Sequence, residues 1–157
     1  NVRFANIENL VGGTADDTFR FQPTGFISGN IDGVGTVDTL DYSQYNASVT
    51  VALGTNTPGT ATGVGGSITS IENVLGSTKG NNTLRGENIT NTWRITGTNT
   101  GSVNTVTFRN FQNLVGGSQS DTFIFSDRAR VSGIIDGGPG FDTLDYTAYT
   151  GTIHVDL

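Results

Sequence analysis

The chain contains neither cysteine nor methionine. Without thiols there is no disulfide framework, no thiolate metal site and no thiol nucleophile, and the chain suits a reducing or an oxidising compartment equally. Histidine occurs once, at His154, and tryptophan once, at Trp93. Basic residues are scarce, eight against fourteen acidic ones, and the formal charge is −6. A phosphate-binding face needs clustered Lys and Arg, so this balance argues against nucleic acid as a partner. No apolar run approaches the roughly 18 residues of a membrane-crossing helix, so no membrane span is expected, and no secretory leader is visible. The first residue is Asn rather than Met, which fits an excised fragment or a processed chain. Apolar residues make up 34%, below the roughly 45–50% of ordinary globular domains, so the core must be thin.

What fills the chain instead is glycine (23), threonine (25) and asparagine (15), with nine Phe and four Tyr at regular places. Disordered chains lack such aromatic and β-branched residues, so the composition reads as all-β, with many turns and a polar outer face. The order is duplicated. Residues 4–53 and 108–157 align without a gap at an offset of 104, and 24 of 50 positions are identical. Matched landmarks include Gly12-Gly13 with Gly116-Gly117, Asp17-Thr18-Phe19 with Asp121-Thr122-Phe123, and Asp38-Thr39-Leu40-Asp41-Tyr42 with Asp142-Thr143-Leu144-Asp145-Tyr146. Fixed-spacing self-similarity marks architectures whose units stack on their neighbours. We read residues 1–157 as one segment: copy one at 4–53, a divergent middle at 54–107 and copy two at 108–157.

Local alternation marks short strands. Phe19/Phe21, Leu40/Tyr42, Val49/Val51/Leu53, Trp93/Ile95, Val106/Phe108, Phe123/Phe125 and Ile153/Val155/Leu157 each place apolar side chains two apart, on one face of a strand. Glycine pairs at Gly12-Gly13, Gly65-Gly66 and Gly116-Gly117 read as turns that need positive φ. No helical stripe is present. The tripeptide (Asp/Asn)-Thr-apolar begins at Asp17, Asp38, Asn82, Asn104, Asp121 and Asp142. Taking the gap from Asp38 to Asn82 as two steps with a marker lost near Thr60, the spacing predicts coils of about 21 residues. Asn91-Thr92-Trp93 falls between markers and reads as another side of the coil. The expected fold is a parallel β-solenoid of about seven coils, with matching residues stacked about 4.8 Å apart. A β-sandwich would not require the long duplication, and a propeller would need blades of about 40 residues.

The stretch Gly137-Gly138-Pro139-Gly140-Phe141-Asp142-Thr143-Leu144-Asp145 resembles the calcium-binding nonapeptide of RTX proteins. Gly12 to Arg20 and Gly116 to Ile124 fit it except at the fourth position, where Ala15 and Gln119 replace glycine. Phrases such as Ile7-Glu8-Asn9-Leu10-Val11-Gly12-Gly13 and Ile71-Glu72-Asn73-Val74-Leu75-Gly76 resemble repeats of very large bacterial exoproteins, the RTX-like and filamentous-haemagglutinin-like adhesins. The resemblance implies an extracellular or cell-surface location and a spacer or adhesive role. The nonapeptides of a β-roll run in tandem, whereas here they stand singly, so that geometry does not carry over.

Four carboxylates are the candidate metal ligands. A 21-residue coil stacks Asp17 on Asp38 and Asp121 on Asp142, and like charges that close share a proton, find donors or take up a cation. Calcium suits such a ladder. Equally, each Asp can accept N–H bonds within its own turn, as the uncharged Asn82 and Asn104 at equivalent markers suggest. Thr18, Thr39, Thr83, Thr105, Thr122 and Thr143 read as an outward column reflecting β-propensity, with ice or carbohydrate binding as the sharper alternative. Phe19, Phe21, Phe123, Phe125, Tyr42, Tyr146 and Trp93 read as core rather than a sugar platform. His154 faces solvent with no nucleophile paired to it. Asp38/Asp41 and Asp142/Asp145 recur in both copies, as scaffold residues do, rather than as a cleaving pair. The expected role is non-catalytic: a rigid spacer or stalk, with calcium-binding module and filament subunit as alternatives. The expected partners are further copies stacked end to end and surface or matrix glycans.

Overall fold

The computed structural model describes residues 6–54 and 58–154, and among these there is no helix. Strands are two to six residues long because glycine, asparagine and aspartate interrupt every apolar run. In chain order they are β1 (Leu10–Val11), β2 (Thr18–Arg20), β3 (Ile31–Asp32), β4 (Thr39–Asp41), β5 (Thr50–Ala52), β6 (Thr60–Ala61), β7 (Ile68–Thr69) and β8 (Asn73–Leu75). Then follow β9 (Thr83–Arg85), β10 (Thr92–Gly97), β11 (Thr100–Val103), β12 (Val106–Arg109), β13 (Asn113–Val115), β14 (Thr122–Phe125), β15 (Ile135–Asp136) and β16 (Thr143–Asp145).

They form three sheets: β1-β3-β7, β6-β5-β9-β13-β15, and an eight-stranded sheet β2-β4-β8-β12-β11-β10-β14-β16. Most neighbours are parallel and far apart in sequence, so strands distant along the chain lie side by side. Leu10 pairs Ile31, and Ile31 pairs Ile68. Phe19, Leu40, Val74 and Phe108 line up in one register, Val51, Leu84, Leu114 and Ile135 in a second, and Trp93, Phe123 and Leu144 in a third. All of these except Leu144, which is half exposed, belong to the core or pack against it, together with Phe111 and Ile95. Aromatic rings stack along it. Phe21 lies on Tyr42 at 4.5 Å, and the duplicate pair Phe125 and Tyr146 lies at 4.4 Å. Trp93, expected in the core, is fully buried on Phe123, and His154 is exposed.

The winding is not an even 21-residue coil repeated about seven times, and its sheets are not purely parallel. Pairing steps of 21 residues join β1 to β3, β2 to β4, β13 to β15 and β14 to β16. Between them the step grows: Leu40 pairs Val74 and Val74 pairs Phe108. Two insertions lengthen the turns. β5 and β6 form an antiparallel pair, so Thr60 belongs to a returning strand and not to a coil that lost its marker. β10, β11 and β12 form an antiparallel meander. The six tripeptides therefore do not make one column. Asn82 precedes β9, in a different sheet from Asp17 and Asp38, and Asn104 is the turn between β11 and β12, at φ 50°. Asn91-Thr92-Trp93, read as another side of the coil, is the true neighbour of Asp121-Thr122-Phe123.

The threonine column divides likewise. Thr39 is followed by Asn73 and Thr107, while Thr92, Thr122 and Thr143 form a separate file. Ile153 lies outside any strand, and its expected partners Val155 and Leu157, like Phe4 at the start of copy one, lie outside the described residues. Gly12 and Gly116 do not have positive φ. Glycine stands there because the next turn lies against it: a Cβ would come within 2.3 Å of the Gly33 carbonyl oxygen at Gly12, and 2.4 Å of that of Gly137 at Gly116.

Candidate functional site: the aspartate ladders

The residue just before several strands gives its N–H to a side chain on a neighbouring stretch of chain. The N–H of Asp17 donates to Asp38 Oδ1 at 2.8 Å, and the N–H of Asp38 donates to Glu72 Oε2 at 2.9 Å. In a second ladder the N–H of Asn91 donates to Asp121 Oδ1 at 2.7 Å, and that of Asp121 to Asp142 Oδ1 at 2.9 Å. The structure thus stacks Asp17 on Asp38 and Asp121 on Asp142, as the spacing implies, but in two separate ladders. Asn82 serves a third, accepting from the N–H of Val49 at 3.0 Å while its own N–H donates to Gln112 Oε1 at 2.7 Å. At another corner Asn9 Oδ1 accepts from Asn30 N–H, and Asn30 Oδ1 from Ser67 N–H.

In Asp17, Asp38, Asp121 and Asp142 the second carboxylate oxygen folds back over a glycine five residues earlier. A Cβ on Gly12, Gly33, Gly116 or Gly137 would lie within 2.2–2.6 Å of Oδ2 of Asp17, Asp38, Asp121 or Asp142 respectively. Gly86 stands in the same relation to Asn91. This Gly-x4-(Asp/Asn) spacing is a sequence signal that includes Asn91 and rejects Asn104, though it misses Asn82, whose glycine, Gly76, lies six residues back. Glu72 carries no such signal; only the register reveals it.

Charge distinguishes otherwise similar slots. Asn91 Nδ2 donates to the carbonyls of Glu87, Ile89 and Gly116, and Asn82 Nδ2 to those of Ser77 and Asn110. At Asp38 and Asp121, both essentially inaccessible, an acceptor oxygen occupies that place and has no partner. It sits beside Gly33 or Gly116, where a Cβ would also meet the carbonyl oxygen of Ser70 or Gly137. Asp17 Oδ2 is better placed, accepting from Gly13 N–H. Calcium takes six to eight oxygens. The ladders offer one unpartnered buried oxygen at each of two places, and among the described residues no three Asp, Glu, His or Cys side chains converge. The remaining carboxylate oxygens here mainly act as acceptors for the backbone.

The paired acids Asp38/Asp41 and Asp142/Asp145 do not share a cleft chemistry. Asp41 Oδ1 caps Ser43 N–H and its Oδ2 holds Arg20 Nε at 2.6 Å, while Asp145 caps Thr147 N–H. Burial raises the Asp41 pKa, but the Ser43 hydrogen bonds and the Arg20 charge outweigh it and hold the carboxyl below its ordinary value. A groove of about 440 Å³ is lined by Val34, Leu53, Ser70, Ile71, Glu72 and Val106; the one acid in it, Glu72, is engaged with Asp38 N–H. No family model matches the chain, and no curated protein or solved structure does either.

Proposed function

We propose that this chain is a non-catalytic structural segment: a stretch of β-solenoid from an extracellular or cell-surface protein, serving as a rigid spacer or adhesive stalk. The observation that supports the reading is the use made of its polar side chains. Asp38, Glu72, Asn82, Asn91, Asp121, Asp142 and Asn30 are each spent on the backbone of an adjacent turn, leaving no pair of acids poised over a cleft among the described residues. Such bonds tie turn to turn along the direction in which a stalk is loaded. Single-molecule pulling tests this: the stalk reading expects turns to resist and release in steps, and extension at negligible force contradicts it.

One observation favours a second reading, a calcium-binding module of the RTX-like kind. Oδ2 of Asp38 and Oδ2 of Asp121 lack donors and lie near backbone carbonyls, an environment a cation would relieve. Thermal melts with added calcium and with chelator separate the two readings. The spacer needs no shift, and the module needs a rise in melting temperature on calcium addition.

A further inference from the structure

The duplication lets each residue at an end of the ladder be compared with its twin in the interior. Leu144 is the twin of Leu40, which lies under Val74 and is fully buried, yet Leu144 is 52% exposed because, among the described residues, β16 has no strand beyond it. Phe141 beside it is 93% exposed. At the opposite edge, among the described residues, β1 and β2 have no strand before them. Leu10 and Phe19 are only partly buried there, while their twins Leu114 and Phe123 are buried, and Val11 is 70% exposed. Each edge is half of an inward file.

The polar groups at the two edges are complementary in sense. Inside the chain the N–H of an earlier turn donates to Oδ1 of the following one, as Asp17 does to Asp38 and Asp121 to Asp142. At the far edge the N–H of Asp142 donates to no group among the described residues, and at the near edge Asp17 Oδ1 accepts from none. One donor and one acceptor of the same step are left over. From this we infer that the β15–β16 edge of one molecule seats the β1–β2 edge of a second copy, with Thr143 paired to Thr18 in parallel register. Asp142 N–H then donates to Asp17 Oδ1, and Leu144 packs on Phe19 and Tyr146 on Phe21. Asn30 carries the corner ladder forward by accepting from Ser67 N–H; its twin is Ile134, 70% exposed, so that corner offers no side-chain acceptor to the second copy. The interface joins different surfaces of the two molecules and therefore propagates into linear chains rather than closing. The inference rests on the strand registers and not on the spacer reading.

Sedimentation velocity of the 157-residue chain over a wide concentration range tests it. The expected result is a concentration-dependent series of linear oligomers. Leu144→Lys spoils one edge and Val11→Lys the other, each at an exposed position, and each alone is expected to weaken association at least about tenfold, roughly 1.4 kcal/mol. Each variant keeps the edge the other has lost, so an equimolar mixture forms one-to-one dimers and stops there. A wild-type chain that stays monomeric throughout overturns the inference, as does a mixture that remains monomeric. So does a variant that polymerises as the wild type does. Melting curves of both variants confirm that they are folded, and the wild-type series decides the matter if they are not.

Discussion

The backbone N–H of Asp17 donates to Oδ1 of Asp38 at 2.8 Å, across 21 residues of chain. An acidic side chain here does the work that a strand partner does elsewhere, satisfying an N–H at a corner where the ladder bends away. Removing the acceptor leaves that N–H without its partner. Asp38→Ala is therefore expected to destabilise the fold by about 1–3 kcal/mol, read as a lowered denaturant midpoint with unchanged m-value.

Asparagine at the same position is expected to do the opposite. Asp38→Asn and Asp121→Asn keep Oδ1 as acceptor and place Nδ2 where an unpartnered oxygen now lies, as Asn91 and Asn82 already do. Each is expected to gain about 1 kcal/mol in chemical denaturation, by relieving a buried unsatisfied group. A loss of stability that appears only when calcium is present would instead support the calcium module.

Val34 holds φ at 74°, a conformation costly for a β-branched residue, and its twin Gly138 holds 83°. Val34→Gly exchanges that strain for a more flexible unfolded chain. With strain of about 1–2 kcal/mol and an unfolded-state penalty of about 1 kcal/mol, a modest rise in melting temperature is expected. The mirror change, Gly138→Val, is expected to lower it.

The pH dependence follows from Asp41. Its carboxyl, pulled below the ordinary value by Ser43 and Arg20 against the effect of burial, contributes stability that is present above the unfolded pKa of about 3.9 and is lost as pH falls through the folded one. Asp16, held low by Thr36 and Val37, and Asp145, held low by Thr147, act in the same direction. Acid unfolding should thus set in below pH ~4, and Asp41→Asn should flatten that limb while lowering stability at neutral pH. At the alkaline end Tyr42, whose hydroxyl donates to the Thr62 carbonyl at 2.6 Å, has its pKa raised by burial and by Tyr45. Its stabilisation is complete below the unfolded value of about 10 and declines above it. Tyr42→Phe is expected to remove that alkaline loss, at a cost of about 1 kcal/mol at neutral pH for the lost hydrogen bond.

Sequence periodicity carried the strands and the inward residues well, because a side chain's face on a strand depends only on its neighbours two positions away. Phe19, Leu40, Trp93 and Phe123 were legible for that reason, and the 21-residue spacing of the markers implied the stacking of Asp17 on Asp38 and Asp121 on Asp142. The order of turns between the copies was not legible. Asn82-Thr83-Leu84 and Asn104-Thr105-Val106 look like markers, yet one begins a strand in another sheet and the other closes a hairpin. A tripeptide records local extension after a polar turn residue; it does not record which earlier strand lies alongside. The β5–β6 pair and the β10–β12 meander reset the register through long-range hydrogen bonds that leave no local period. The glycine five residues before Asp17, Asp38, Asn91, Asp121 and Asp142 does leave one, since the returning side chain admits no Cβ there.

The absence of cysteine makes the register directly measurable, since spin labels can be placed at chosen pairs without background. Labels at Thr39→Cys and Asn73→Cys, adjacent in the eight-stranded sheet, should show strong dipolar broadening in the electron paramagnetic resonance spectrum. Labels at Thr39→Cys and Thr83→Cys, in different sheets, should show markedly less. Broadening in the second pair and none in the first would restore an even coil and contradict the winding described above.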